Sequence, residues 1–218
     1  MENISEMITR LGQNARKAAV SMRRLTTAQK NSMLLAMADA LERERKAIVA
    51  ANAEDVARAK AAGLAPALVD RLVLTPARFA EMVAGVREVA SLPDCVGELI
   101  YERNRPSGIT IRKVREPFGV VAVVFESRPN VLVDTAALCL KTGNAIILRG
   151  GKEALGSNIA LANCIRRALC VDNAVQLVET TDHAAVTELV RAVGLIDVAI
   201  PRGGERLIRA MCEAALIP

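Results

Sequence analysis

The segment VREPFGVVAVVFESRPNVLVDTAALCLKTGNAIILRGGK, residues 114–152, determines the fold of this 218-residue chain. Residues 120–125 are an apolar, mostly β-branched run, too short for a buried helix and typical of a strand covered on both faces. Pro129 ends this strand, and residues 131–141 then repeat apolar side chains at helical spacing. Residues 145–148 are a second apolar strand. This succession predicts a βαβ unit with parallel strands.

The same alternation continues along the rest of the chain. The predicted strands are 120–125, 145–148, 174–178 and 195–200, and the predicted helices are 131–142, 156–169, 183–192 and 204–215. Alternating strands and helices predict an α/β fold with a doubly wound parallel sheet. Ligands of such sheets bind beyond the carboxyl ends of the strands, so we expect the functional residues at 126–130 and 149–152.

The first 95 residues are predicted to be a helical region that serves as scaffold, because they contain no cluster of catalytic residue types. An apolar stripe from Ile4 indicates the first helix, and the capping box at Thr26 starts a second. Asn52 and Asp55 are expected near the start of a third helix. Thr75-Pro76 caps a fourth, which runs to about residue 90.

Residues 96–115 are predicted to be a β-hairpin, because two extended runs flank the turn Arg105-Pro106-Ser107-Gly108. A hairpin outside the main sheet often serves assembly into a homo-oligomer, but a monomer could carry one equally well. The predicted regions are thus 1–95 (helices), 96–115 (hairpin) and 116–218 (the parallel α/β part, a dinucleotide-binding region expected to be incomplete).

Composition narrows the classes of function. The net charge of +5 can indicate nucleic acid, but solvated helix faces explain it better, and 2% aromatic residues leave no platform for stacking bases. No apolar run is long enough to span a membrane, and no signal peptide is recognisable. The cysteines show no C-x-x-C spacing and are interpreted as reduced, structural thiols of a cytoplasmic protein: Cys95, Cys139, Cys164, Cys170 and Cys212.

Three predicted strands are followed by an arginine: Arg128, Arg149 and Arg202. Guanidinium groups at one end of a sheet suit an anionic ligand, because they bind phosphate and carboxylate in bidentate fashion. The alternative is that these arginines pair with nearby acids such as Glu126 and Glu153. The charges alone do not separate the two interpretations.

Glycines follow two of these strands. Gly203-Gly204 opens a helix, where bare backbone N–H groups can approach a phosphate, and Gly150-Gly151 offers the same feature less clearly. A plain glycine turn is the alternative, and the fingerprint G-x-G-x-x-G is absent. Asn130 precedes a helix and suits either an N-cap or an amide that donates to an oxyanion. The single histidine, His183, lacks the partners of a metal site or catalytic triad.

Several motifs together resemble the gamma-glutamyl phosphate reductases, or glutamate-5-semialdehyde dehydrogenases, of the aldehyde dehydrogenase superfamily. The resemblance covers the whole chain. It rests on Asn52-Ala53-Glu54-Asp55, Asp70-Arg71-Leu72, Leu74-Thr75-Pro76-Ala77-Arg78, Ser127-Arg128-Pro129-Asn130-Val131, Leu140-Lys141-Thr142-Gly143-Asn144-Ala145, Ile147-Leu148-Arg149-Gly150-Gly151-Lys152-Glu153 and Ile200-Pro201-Arg202-Gly203-Gly204.

The resemblance implies an oxidoreductase of proline biosynthesis that uses NADPH to reduce gamma-glutamyl phosphate to glutamate-5-semialdehyde with release of phosphate. In that family a thiolate displaces phosphate to form a thioester, which hydride then reduces. Asn130 matches the oxyanion donor, and Arg128 is expected to bind substrate. The expected cofactor-binding residues are Arg149, Gly150, Gly151, Lys152, Arg202, Gly203 and Gly204. Lys152 would suit the 2′-phosphate of NADP.

The sequence departs from the family at two places. The link at residues 169–174 lacks the common Gly-Leu-Pro. The family's catalytic cysteine has no counterpart in these residues, so we expect a cofactor-binding part that is inactive alone, with the catalytic domain absent. The alternative function is a non-catalytic nucleotide- or partner-binding module derived from that enzyme. No metal is expected.

Overall fold

The chain is helical up to Ser91, as predicted. In the computed structural model, which describes residues 3–218, Asn3 and Thr26 each begin a helix with a complete capping box. Thr75 caps a further helix. The helices are α1 (Ile4–Arg23), α2 (Thr27–Arg43), α3 (Arg45–Ala61), α4 (Pro66–Leu72) and α5 (Pro76–Ser91).

Helices α3 and α4 differ from the sequence prediction. α3 already begins at Arg45, so the prediction that Asn52 and Asp55 start it was wrong. Both side chains lie in mid-helix and are buried, because they bond to other segments of the chain rather than to their own helix start. α4 was not predicted, since a helix of 7 residues carries too short an apolar repeat to be recognised.

The predicted hairpin is present as β1 (Leu99–Asn104) and β2 (Thr110–Val114), which pair antiparallel in a separate two-stranded sheet. Every residue of both strands is exposed, including apolar side chains such as Leu99 and Tyr101. Within residues 3–218, neither face of this sheet is covered by other parts of the chain. Assembly of the hairpin with a second chain is not tested by this and stays a prediction.

The rest of the chain forms the expected α/β part around a four-stranded parallel sheet of order β5-β4-β3-β6. The strands are β3 (Val120–Phe125), β4 (Ala145–Arg149), β5 (Val175–Leu177) and β6 (Val198–Arg202). The helices are α6 (Asn130–Lys141), α7 (Leu155–Ala168), α8 (Ala184–Val190) and α9 (Glu205–Ala214). β6 begins at Val198, later than the predicted residue 195. The apolar Ile196, which resembled part of the strand in sequence, is buried in the core just before the strand begins.

One hydrophobic core joins the amino-terminal helices to the sheet. α1 packs against β4 and α8, while α2 and α5 pack against α6. The chain moves outward from β3 through β4 to β5 and then crosses back to β6. With right-handed crossovers, this reversal places α6 and α7 on one face of the sheet and α8 on the other. The carboxyl ends of β3 and β6 therefore border a crevice.

Asp197 ties the amino-terminal ends of β3 and β6 to α1. Its carboxylate accepts two hydrogen bonds from the Arg16 guanidinium, at 2.7 and 2.8 Å, and a third from the Val120 N–H at 2.7 Å. Gly119 adopts a φ of 116°, and a Cβ there would lie 2.4 Å from Asp197 Oδ2. The position therefore requires glycine on both conformational and steric grounds.

Replacing Asp197 by alanine should lower the free energy of unfolding by about 2 kcal/mol. The substitution leaves the buried N–H of Val120 without an acceptor and removes a partly exposed ion pair. Urea unfolding followed by circular dichroism measures the loss. The control is Arg209→Ala, which breaks an exposed pair with Glu205 and should change stability by less than about 0.5 kcal/mol. Equal effects of the two substitutions would contradict this role of Asp197.

Candidate functional site

The register of the sheet brings the strand exits together. Val124 of β3 pairs with Arg149 of β4, and Phe125 pairs with Arg202 of β6. The segments that follow these residues therefore leave the sheet at the same edge. All predicted site residues lie in those segments or at their borders, so the expectation that they share one edge of the sheet is met.

An apolar slot opens at this edge between α8 and α9. Its cavity volume is about 660 Å³. Val186 of α8 and Leu207 and Ala210 of α9 contribute apolar walls, and Phe125 lines the end of β3. Charged or polar side chains around it come from Arg149, Lys152, Glu153, His183 and Arg206. Apolar walls with a few polar groups are typical of a site for a flat organic ring carrying charged substituents.

Gly150 and Gly151 have no room for a side chain, because neighbouring side chains occupy the position that a Cβ would take. A Cβ at Gly150 would lie 2.1 Å from Asn158 Nδ2, and one at Gly151 would lie 2.5 Å from Glu153 Oε1. Both amide atoms of Asn158 are buried without a hydrogen-bond partner among residues 3–218. The amide of Asn158 can therefore donate and accept hydrogen bonds for which no described residue is the partner.

Arg149 is 5% exposed, and its Nε also has no partner in the described part of the chain. Burial lowers the pKa of this guanidinium, while the charges of Glu153 and Asp182 oppose that shift. One Nη2 hydrogen bond reaches the Thr181 carbonyl at 3.4 Å. A buried cation with an unused donor suits a polar ligand at the end of β4.

The N-terminus of α9 binds a carboxylate of the chain itself. The N–H of Gly204 donates to Glu126 Oε1 at 3.1 Å, and a Cβ at Gly203 would lie 2.6 Å from the Glu126 carboxyl carbon. Neither glycine has a positive φ. A plain turn therefore does not require glycine here, whereas the close approach of the carboxylate requires it at Gly203. Because Glu126 is exposed, this helix start could exchange the carboxylate for a phosphate.

Two adjacent clefts lie beside the slot, each with a volume of about 340 Å³. The inner cleft is lined by Arg71, Glu126, Ser127, Arg128, Asn130, Val131, Arg202, Gly203 and Gly204. The outer cleft is lined by Asp70, Arg71, Val73, Leu74, Arg78, Glu81, Met82, Arg128, Asn130 and Asp134. Arg71, Arg128 and Asn130 belong to both, so they stand at the junction of the two clefts.

The arginines of the strand exits are not neutralised by their neighbours. Across residues 3–218, Arg128, Arg149 and Arg202 form no ion pair, so the alternative of pairing with Glu126 and Glu153 is not what the structure shows. Glu126 accepts the Gly204 N–H, and Glu153 accepts the hydroxyl of Ser127.

Asn130 is the first residue of α6, not its N-cap, and no side chain caps this helix. The N-cap interpretation of Asn130 was therefore wrong. Its Nδ2 instead donates to Asp134 Oδ2 at 3.0 Å, one helical turn onward. Burial raises the pKa of Asp134, although the Asn130 hydrogen bond and the charge of Arg202 oppose the shift. The amide is thus held at the junction of the clefts by a half-buried carboxyl.

No cysteine lines the slot or either cleft. Burial raises the pKa of Cys139 to about 12 and that of Cys164 to about 11, so both are protonated thiols at neutral pH. Cys95, Cys170 and Cys212 are exposed at other places. The described residues include no cluster that could hold a metal and no helix long and apolar enough to cross a membrane.

Sequence reasoning gave no site role to several charged or polar residues of these cavities, among them Arg71, Asp134, His183 and Arg206. His183 was interpreted only as lacking the partners of a metal site or catalytic triad, and it lines the slot. Arg71 lies in the region interpreted as scaffold, although the motif Asp70-Arg71-Leu72 was a signal that could have identified it. Asp134 and Arg206 lie within helices, where no local pattern distinguishes them from solvated charges.

Comparisons with known proteins agree with this geometry. The model of the aldehyde dehydrogenase family matches residues 3–214. A gamma-glutamyl phosphate reductase of Moorella thermoacetica is 51% identical over 220 residues, which cover 99% of this chain and 53% of that protein. The crystal structure of a gamma-glutamyl phosphate reductase from Thermotoga maritima superposes with a TM-score of 0.94 at 39% identity, covering 97% of this chain and 52% of that one.

A second solved structure of such a reductase is also similar in fold. The gamma-glutamyl phosphate reductase of Saccharomyces cerevisiae gives a TM-score of 0.90 at 34% identity and covers 100% of this chain and 56% of its own. The chain thus spans about half the length of the relatives it matches. The family model covers nearly all of its residues, and the α/β fold with its separate hairpin is the fold of those structures. The chain belongs to the aldehyde dehydrogenase family.

Proposed function

We propose that the protein containing this chain is an NADP-dependent reductase of gamma-glutamyl phosphate, which it converts to glutamate-5-semialdehyde with release of phosphate in proline biosynthesis. The chain supplies the cofactor site and the oxyanion donor. The observation that carries the proposal is the meeting of the apolar slot, the bare glycine backbone and the anion-binding helix start at one sheet edge. The reductases among its relatives indicate the substrate.

The residues at the slot fit a nicotinamide dinucleotide phosphate. Val186 and Leu207 offer apolar walls for the adenine, and the start of α9 offers N–H groups to the pyrophosphate in place of Glu126. Lys152 is exposed at the rim of the slot and is assigned to the 2′-phosphate. The neighbouring Glu153 is engaged with Ser127, so its carboxylate is directed away from that role. When bound, the cofactor supplies hydride.

The clefts fit the remaining chemistry. Asn130 Nδ2 is a preorganised amide donor at their junction, suited to stabilise the negative charge that develops on an acyl oxygen. Arg128 is exposed beside it and carries a free positive charge for an anionic substrate. A nucleophilic thiol has to reach this junction from residues other than the five cysteines of this chain, because none of them lines it.

That distribution of thiols also favours the second candidate, a non-catalytic nucleotide- or partner-binding module derived from the same enzyme. Both candidates require the slot to bind NADPH, and only the first requires catalysis once a thiol is supplied. The free cysteines are consistent with the proposed cytoplasmic location. Assembly into a homo-oligomer stays a prediction.

The substitution Lys152→Glu should weaken NADPH binding about tenfold and leave NADH binding within about twofold. The new carboxylate removes a cation from the 2′-phosphate and adds repulsion, whereas NADH has no phosphate there. Quenching or enhancement of nicotinamide fluorescence during titration of the 218-residue chain gives both dissociation constants.

The matched control for this test is Lys113→Glu, the same change on the exposed strand β2 of the hairpin. It should leave both dissociation constants unchanged. If Lys152→Glu and Lys113→Glu alter NADPH binding equally, the assignment of Lys152 to the 2′-phosphate is wrong. If the unsubstituted chain binds neither cofactor, the proposed function itself is contradicted.

The substitution Asn130→Ala should reduce kcat by about 10²–10³-fold, because the oxyanion loses a preorganised donor. The substitution is made in a longer protein that contains both these residues and the nucleophilic cysteine. Steady-state kinetics with glutamate-5-semialdehyde, phosphate and NADP measures it. The control Asn163→Ala removes an amide on α7 that bonds only to Arg166 and should leave kcat unchanged. An unaltered kcat in Asn130→Ala would exclude the oxyanion role.

The purified 218-residue chain should show no NADP reduction with glutamate-5-semialdehyde and phosphate, although it binds NADPH. The reason is that covalent catalysis needs a thiolate at the clefts, and no cysteine of the chain lies there. Absorbance at the nicotinamide band detects any turnover. Activity that disappears in a Cys95→Ala, Cys170→Ala, Cys212→Ala triple variant would show that one of these exposed thiols serves the site.

A further inference from the structure

Three motifs of the amino-terminal region are not explained by a scaffold role: Asn52 to Asp55, Asp70-Arg71-Leu72 and Arg78. The structure brings them together around one short segment, residues 70–78. This segment comprises the last turn of α4, the link to α5 and the first turn of α5, and its Arg71 lines both clefts.

The backbone on the carboxyl side of Arg71 is anchored by Asn52. The buried Asn52 Nδ2 donates to the Leu72 carbonyl at 2.9 Å and to Ser157 Oγ at 3.0 Å, and its Oδ1 accepts the Leu74 N–H at 2.8 Å. Asp55 accepts from both the N–H and the hydroxyl of Ser157 at 2.6 Å. These bonds join the segment to α3 and α7 through buried groups, so it is held rigidly.

Arg78 braces the same segment from the other side. Its guanidinium donates to the carbonyls of Asp70 and Val73 and to the Asp70 carboxylate. Leu72 is fully buried. Arg71, between these anchored residues, is exposed, and within residues 3–218 its guanidinium has neither an ion-pair partner nor a hydrogen bond. A rigidly mounted backbone that presents an unpaired arginine into a cleft is the arrangement of a binding residue.

The outer cleft carries charges of both signs at its walls. Arg71 and Arg128 provide two unpaired guanidinium groups, and Asp134 and Glu81 provide carboxylates. Asp134 is half-buried and bonded to Asn130, at the end of the outer cleft that joins the inner one. A ligand with adjacent positive and negative groups, the α-ammonium and α-carboxylate of an amino acid, matches this set. A plain aldehyde or a phosphate alone would not use the carboxylates.

We propose that the outer cleft is the receptor for the amino-acid end of the substrate, with Arg71 binding the α-carboxylate and Asp134 facing the α-ammonium. The proposal rests on the function proposed above and names the residues that select its substrate. Two methylene groups separate that end of gamma-glutamyl phosphate from the reacting carbonyl. Holding the zwitterion in the outer cleft therefore leaves the acyl group beside Asn130 and the phosphate toward Arg202 in the inner cleft.

The test uses L-glutamate, which carries the same amino-acid end and is chemically stable. Two analogues each lack one group: 4-aminobutyrate has no α-carboxylate, and pentanedioate has no ammonium. NMR titration of the isotope-labelled 218-residue chain should show L-glutamate shifting the Asn130 side-chain amide. Each analogue should bind about tenfold more weakly, since each loses one charged hydrogen-bonded contact.

The substitution Arg71→Gln should remove the preference for L-glutamate over 4-aminobutyrate. Arg71→Lys should restore only part of it, since lysine keeps the positive charge but lacks the planar guanidinium that donates two parallel hydrogen bonds. Asp134→Asn should remove the preference over pentanedioate. Because burial raises the pKa of Asp134, its ionised form is disfavoured in the folded protein, so Asp134→Asn should not lower the unfolding temperature at pH 7. The control is Arg105→Gln in the hairpin turn, which should change none of these dissociation constants.

Three results would overturn the proposal. The first is failure of L-glutamate to bind a chain that does bind NADPH, which leaves the proposed function standing and removes only the receptor. The second is an unchanged preference in Arg71→Gln. The third is weaker binding of inorganic phosphate in Arg71→Gln with L-glutamate unaffected, which would assign Arg71 to the phosphate instead. Loss of NADPH binding by the unsubstituted chain would contradict the proposed function as well.

Discussion

The parallel pairing of β3 with β4 and β6 is the constraint on which the site depends. All six residues of β3 are buried, so the strand can only lie in the centre of the sheet with both neighbours in place. Parallel pairing then fixes where three chain segments leave the sheet. The arginines and the glycine backbone lie at or just after the ends of these strands, and the slot opens beside them.

The amino-terminal helices contribute to the same edge through polar contacts rather than through apolar packing alone. Arg16 fixes Asp197 at the opposite, amino-terminal end of the strands, and Asn52 anchors residues 72 and 74 beside the clefts. The helices therefore set both the position of the sheet and the approach of Arg71. A region that resembles a scaffold in sequence provides part of the lining of both clefts in the folded protein.

The sequence predicts most of the fold because its signals are local. The apolar run of β3, the capping box at Thr26 and the proline after Thr75 each act within a few residues. α4 and the start of α3 were missed, since tertiary hydrogen bonds of Asn52 and Asp55, not caps, determine that region. Gly203 was recognised as a close-approach position, but the approaching group, Glu126, comes from another strand. Contacts between distant segments leave no periodic pattern in the sequence.

The central claim is that the shared edge of β3, β4 and β6 binds NADPH. A crystal structure of the 218-residue chain grown with NADPH tests it most directly. The account predicts the adenine between Val186 and Leu207, the 2′-phosphate on Lys152, and the Gly204 N–H released from Glu126 to a phosphate oxygen. Ordered cofactor at any other surface, with the Gly204 N–H still bonded to Glu126, would contradict it.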